Sequence, residues 1–165
     1  MYRDTEGARP SVRRPERVIM LFIPTRRATV LIPSGPDADK ERKHLFILLT
    51  DPVPNVDTKT SEVLSVSVSS IKEGYPFDPA CRLYAGDHPF LRHESFVHYR
   101  YARIDVVSAF LAGVKIGAFI PQGPLKEPIF AQVCQGLLAS RNTSPRIRQF
   151  YDKATAPNSK PPKYS

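Results

Sequence analysis

Between Cys81 and Ile104 the chain reads CRLYAGDHPFLRHESFVHYRYARI. This segment holds three of the four histidines, the arginines Arg82, Arg92, Arg100 and Arg103, and the rings of Tyr84, Phe90, Phe96, Tyr99 and Tyr101. Basic groups interleaved with aromatics suit RNA. A guanidinium pairs with phosphate in a bidentate fork, and Tyr or His rings are stacking platforms for unpaired bases, worth roughly 1–3 kcal/mol each. If His98 to Ile104 is extended, alternation places His98 and Arg100 on one face with Ala102, and Tyr99, Tyr101 and Arg103 on the other. Histidine beside arginine matches the needs of metal-independent RNA cleavage. The 2′-hydroxyl attacks the adjacent phosphate, so the reaction needs a base, an acid for the leaving 5′-oxygen and a cation for the crowded phosphorane. His98, Arg100 and Arg103 are therefore the catalytic candidates. His88, Arg92, His93, Tyr99 and Tyr101 are candidates for RNA binding. The plainer alternative is that these groups form a cross-strand pair or satisfy neighbouring carboxylates.

Other chemistries fit less well. Cys81, His88, His93 and His98 fall within one short segment, but a spacing of five throws successive histidines onto opposite faces of a strand, and no paired cysteine is present. No metal and no other cofactor is expected. No Gly-x-Ser-x-Gly elbow supports a serine hydrolase. The stretch Ser34 to His44 (SGPDADKERKH) carries more charge than a simple hairpin needs, and long charged loops often meet ligands. Lys43 and His44 abut the next apolar run at Leu45, which makes them the best-held RNA-binding candidates of that loop.

The elements that must position these groups are β-type first and helical last. Apolar runs at Val18 to Ile23, Ala28 to Ile32, Leu45 to Thr50 and Val63 to Ser69 are short and bounded by Pro, Gly or Asp, as strands are. In the fourth, Leu64, Val66 and Val68 alternate with Ser65, Ser67 and Ser69, predicting one core face and one wet face. Phe96 to Ile104 is a further extended candidate. After Asp105 the spacing of Val106, Val107, Phe110, Leu111 and Val114 is helical, and Gly117 to Pro124 interrupts it. Pro128 to Ser140 repeats the pattern with Glu127 and Pro128 in a first turn, and Ser144 with Pro145 starts a last short helix through about Tyr151.

The 165 residues fit one domain, residues 18–153. A leader at residues 1–17 and a tail at 154–165 are too poor in apolar side chains to repay the entropy of ordering. Met20 could in principle be a start. The 24 Lys and Arg against 16 Asp and Glu give +8 and a pI near 9.7, which favours polyanionic partners. Two cysteines make neither a disulfide framework nor a metal knuckle, pointing to a reducing compartment. No apolar run approaches the roughly 20 residues of a membrane span, so a cytoplasmic protein without a membrane partner is expected.

Three stretches resemble the PemK/MazF-type toxin ribonucleases. ATVLIPSGPDADKERKHLFILLTD is similar to that family's first strand, charged loop and second strand. EVLSVSVSS is similar to its strand ending in hydroxyls, and ESFVHYRYARID to its strand running to an Arg-x-Ile-Asp type ending. The resemblance covers about Ala28 to Leu138. It implies an SH3-like β-barrel with C-terminal helices, a homodimer, an antitoxin protein as partner, and RNA cleavage without metal. By the same resemblance Lys43 and His44 take the place of an Arg-Pro pair, and Ser69 and Ser70 that of the strand-ending hydroxyls, adding both serines to the RNA-binding candidates. His98 to Arg100 fall where some members place an Arg-x-Asp pair, and Arg100 replaces the acid. The expected function is a metal-independent endoribonuclease. The alternatives are a non-catalytic module on the same barrel that binds nucleic acid or protein, and a structural or phage-type interaction protein.

Overall fold

The computed structural model describes residues 22–34 and 42–157. Seven strands form one antiparallel sheet: β1 (Thr29–Pro33), β2 (Lys43–Leu48), β3 (Val53–Asn55), β4 (Thr60–Ser70), β5 (Arg82–Leu83), β6 (Ser95–Val106) and β7 (Ile120–Gln122). The spatial order is β5-β6-β4-β2-β1-β7, with β3 pairing β4 off this path. Three helices follow the main strands: α1 (Val107–Lys115), α2 (Glu127–Ala139) and α3 (Pro145–Thr155). The protein is thus mainly β with C-terminal helices, its sheet curled into a half-barrel. The run at Val18 to Ile23 lies almost wholly outside the described residues, as do most of the charged loop, the leader and most of the tail. No helix among the described residues is long and apolar enough to cross a membrane.

Alternation in the strands builds two cores. One set, with Leu31, Leu45, Ile47, Leu64, Val66, Val68, Val97 and Tyr99, meets Phe130, Val133 and Leu137 of α2 and Ile147 of α3. The other set, Val30, Ile32, Phe46, Leu48 and Val63, meets Phe110 of α1. Because helices cover parts of both faces, the serine row of β4 is not wet as its alternation predicts. Ser65 is fully buried and Ser67 nearly so, and only Ser69 and Ser70 at the strand end reach the surface. The wet reading fails because Val63 belongs to the same face as these serines and draws α1 over it.

The start of α3 follows its capping residue. Ser144 accepts a hydrogen bond from Ile147 N, and Pro145 occupies the first turn of α3, where a missing N–H costs nothing. The same helix runs on to Thr155, beyond the expected end near Tyr151 and into the stretch read as tail. In α2, Glu127 and Pro128 do stand in the first turn.

A bulge in β6 decides where its side chains point. Ser67 pairs with His98, so a regular antiparallel ladder would pair Ser65 with Arg100, yet Ser65 pairs with Arg103. The extra residues put Tyr99 to Ala102 opposite Val66 alone, and they change the phase of alternation between the two halves of the strand. The face assignment expected for an unbroken strand therefore fails. Tyr101 meets His98 edge-on with ring centroids 4.3 Å apart, while Arg103 lies over the Phe46 ring at 4.7 Å.

Candidate functional site

A cleft of about 940 Å³ opens where the ends of β2 and β4 and the start of β6 meet the loops around residues 71–77 and 89–93. Its cations are Arg42, Lys43, Lys72 and Arg92, joined by His44, His93 and His98, and among the described residues no Asp or Glu lines it. Tyr75, Phe77, Phe90 and Phe96 supply apolar wall. Tyr75 is 71% exposed and Phe90 39%, so both present ring surface to solvent. A concave, basic site with exposed rings fits an anionic ligand that also carries planar groups.

Strand geometry positions the two inner histidines. His44 and Phe46 point to the same side of β2, Phe46 pairs with Ser67, and Ser67 pairs with His98. His44 and His98 thus stand on one sheet face, two strands apart and two residues out of row, roughly 12 Å at the backbone. Both imidazoles are half-buried and both are held below the ordinary 6.5. For His44 the largest cause is burial, followed by the charges of Arg42 and Lys72. For His98 burial again leads, Asp78 opposes it, and Arg100 and His44 reinforce it. The two rings differ in one respect: among the described residues a carboxylate, Asp78, acts on His98 and none on His44.

His98 is also the hub of a ring ladder. Arg82 lies over Phe77 at 4.8 Å, Phe77 meets Phe96 at 5.8 Å, Phe96 meets His98 at 5.1 Å, and His98 meets Tyr101. Such tilted and edge-on contacts fix ring orientation and contribute roughly 0.5–1.5 kcal/mol per pair. An imidazole clamped between two rings is oriented without using its nitrogens.

No family model, curated protein or solved structure matches the chain. The chemistry of the site rests on its own geometry.

The structure gathers Lys43, His44, Ser69, Ser70, Arg92, His93 and His98 on one cleft. Arg100 and Tyr101 are exposed on β6 outside the cleft lining, Tyr101 touching it through His98. Three candidates are placed elsewhere. Arg103 is ion-paired to Asp105 at 2.6 Å and covers Phe46, so its charge is committed within the fold. Tyr99 is 1% exposed; its hydroxyl donates to the Val133 carbonyl of α2 at 2.7 Å, and its ring offers no face to a base. His88 is 3% exposed and has both nitrogens engaged. Thr29 Oγ1 donates to the Gly123 carbonyl, so it accepts from His88 Nε2 at 3.1 Å, while His88 Nδ1 accepts from Phe90 N at 3.0 Å. That pattern is satisfied only by the neutral ring with its proton on Nε2. Burial also pushes the His88 pKa down, against the pull of the Gly123 carbonyl. His88 pins β1 to the loop that presents Phe90.

Sequence reasoning passed over Lys72, Tyr75 and Phe77. They belong to the stretch IKEGYPFDP, where a lysine and two rings stand close together between β4 and β5. The same stretch carries Asp78, 7% exposed, which accepts from Ser140 Oγ at 2.5 Å, Ala80 N at 3.0 Å and Asn142 Nδ2 at 3.1 Å. Burial works against its charge, but these donors and the nearby His98 outweigh it and hold the carboxyl below its usual value.

Proposed function

We propose that the protein is a metal-independent endoribonuclease whose cleft binds RNA and cuts it with His44 and His98. The supporting observation is that two half-buried imidazoles share one sheet face inside a basic cleft with no carboxylate among its described lining residues. Two imidazoles in one cleft can divide a proton transfer between them, one as base and one as acid. His44, facing Arg42 and Lys72, is the base that takes the 2′-hydroxyl proton. His98, with Asp78 behind it, is the acid that gives a proton to the departing 5′-oxygen. The 2′-oxygen bonds to phosphorus as the P–O5′ bond breaks, leaving a 2′,3′-cyclic phosphate and a free 5′-hydroxyl. Arg42, Lys72 and Arg92 hold the phosphates, and the exposed Tyr75, Phe90 and Tyr101 stack on bases.

This reading keeps the expected reaction and moves its cation. Arg103 is replaced by the cleft cations, because it lies over Phe46 and outside the cleft lining. It goes with a divergent PemK/MazF-like barrel that acts as a homodimer in the cytoplasm and is restrained by an antitoxin. The ring ladder through His98 supports a second reading, in which the cleft binds RNA without cutting it. Mixed RNA incubated with the protein and a chelator, followed by end mapping, separates the two. Cyclic phosphate ends that disappear in His98→Ala support the enzyme. Salt-sensitive binding with intact RNA replaces it with the binding module.

A further inference from the structure

Given the ribonuclease reading of the cleft, on which this rests, we infer that Tyr101 is the platform for the base of the departing nucleotide. A bound RNA then leaves the cleft past His98 and crosses the bulge of β6.

His98 stands at the boundary of the cleft on β6. Phe96, on one flank, lines the cleft, its ring centroid 5.1 Å from that of His98. Tyr101, on the other flank, lies outside the lining and meets the imidazole edge-on at 4.3 Å. The position of His44 decides which flank takes which nucleotide. β2 and β6 run the same way on either side of β4, and Leu45 and Val97 both pair with Val68. One residue before each, His44 is level with Phe96. The base that takes the 2′-hydroxyl proton is therefore on the Phe96 flank of His98, and the attacking nucleotide lies there. The oxygen that receives the His98 proton belongs to the next nucleotide, which falls on the Tyr101 flank.

The Tyr101 ring suits that place. The residue is 63% exposed, and an edge-on contact with His98 occupies at most one face of its ring. It is also held before any ligand arrives. Tyr99, two positions earlier, is buried and donates its hydroxyl to the Val133 carbonyl at 2.7 Å, which pins this part of β6 to α2. A ring already ordered loses little freedom on stacking, so more of the contact appears as binding. Past Tyr101, Arg103 covers Phe46 and is paired with Asp105, so the bulge offers a single ring beyond the cut.

The test uses the full chain and a short end-labelled RNA with one mapped cut, made in three forms: intact, without the departing base, and without the attacking base. Removing the departing base is expected to lower kcat/KM of wild type by roughly 5- to 150-fold, the usual contribution of one stacked base. Tyr101→Leu keeps an apolar side chain against His98. It should lose about as much on intact RNA, as much again on RNA without the attacking base, and nothing further on RNA without the departing base. Tyr101→Phe should stay within a few fold of wild type on all three. An equal loss from Tyr101→Leu on RNA with and without the departing base would show a ring that merely holds His98, and would overturn the proposal. So would coupling to the attacking base instead, or intact RNA cut by Tyr101→Leu at the wild-type rate. Failure of the ribonuclease reading looks different: wild type then leaves all three RNAs uncut, and the proposal falls with it.

Discussion

The two halves of β6 share a sequence texture and differ in what their charges are doing. Before the bulge, Ser95 to His98 border a cleft that gathers cations with no acid among its described lining residues. Beyond it, Arg103 is tied to Asp105 and lies over Phe46, and Ile104 packs against the main core. Both halves offer arginine or histidine next to an aromatic ring. What separates them is pairing and access: a cation serves a ligand only while no carboxylate of the fold has claimed it. The bulge makes the division, since its extra residues turn Arg103 toward Phe46 and leave His98 beside Tyr101.

The strongest way to break this contrast is to remove one group from each half. His98→Ala and His44→Ala should each lower cleavage in the presence of chelator by roughly 10²–10⁴-fold, the usual contribution of a positioned acid or base. Arg103→Ala should leave the cleavage rate within a few fold and act on stability instead. Equal losses from His98→Ala and Arg103→Ala, measured on end-labelled RNA, would erase the distinction.

Next in size are changes to the scaffold. Gly136 on α2 has no room for a Cβ, which would meet the Tyr99 hydroxyl and lie 2.9 Å from Cys81 Cβ. Gly136→Ala should destabilise the fold by at least about 1–3 kcal/mol in urea unfolding, as overpacking does. His88→Ala should cost about 1–3 kcal/mol, because it strands the buried Thr29 hydroxyl and Phe90 amide. RNA affinity, measured where the variant is still folded, should be unchanged. A selective loss of RNA binding in His88→Ala would return that residue to the ligand.

Smaller effects belong to the cleft cations and to pH. Lys72→Ala and Arg92→Ala should each reduce the slope of log affinity against log salt by about 0.7, the value for one phosphate contact on a single strand. Arg82→Ala should have less effect than either, since its charge sits over Phe77. His44, His88 and His98 all lie below 6.5 in the folded protein. Between those lowered values and 6.5 the unfolded chain binds more protons. Stability should therefore fall as the pH drops below about 6.5, the ordinary histidine value, and His88→Gln should flatten that fall. By the same signs the cleavage optimum should lie on the acid side of 6.5.

Much of the fold was legible because long runs carry a clear period. β4 announces itself by alternation, α2 by helical spacing, and α3 by Ser144 and Pro145. β3, β5 and β7 were missed because segments of two or three residues are too short to show alternation, and their pairing comes from neighbours. At the site, residue type found His44, His93 and His98 but could not distinguish them from His88. All four are histidines near basic groups, and only the three-dimensional partners Thr29 and Phe90 make one of them structural. Arg103 was misread because a bulge changes which face its side chain takes, and nothing local in HYRYAR marks it; Tyr99 keeps the face of Val97, and α2 covers it. Asp78 went unseen because its partners, Ser140 and Asn142, are more than sixty positions away.

The contrast within β6 is tested most directly by photo-crosslinking a short RNA carrying 4-thiouridine to the full chain and mapping the adducts by mass spectrometry. The cleft account predicts adducts on Tyr75, Phe90, His98 or Tyr101, lost in high salt, with none between Arg103 and Val106. Adducts concentrated at Arg103 to Val106, or none in the cleft at RNA concentrations that saturate binding, would contradict it.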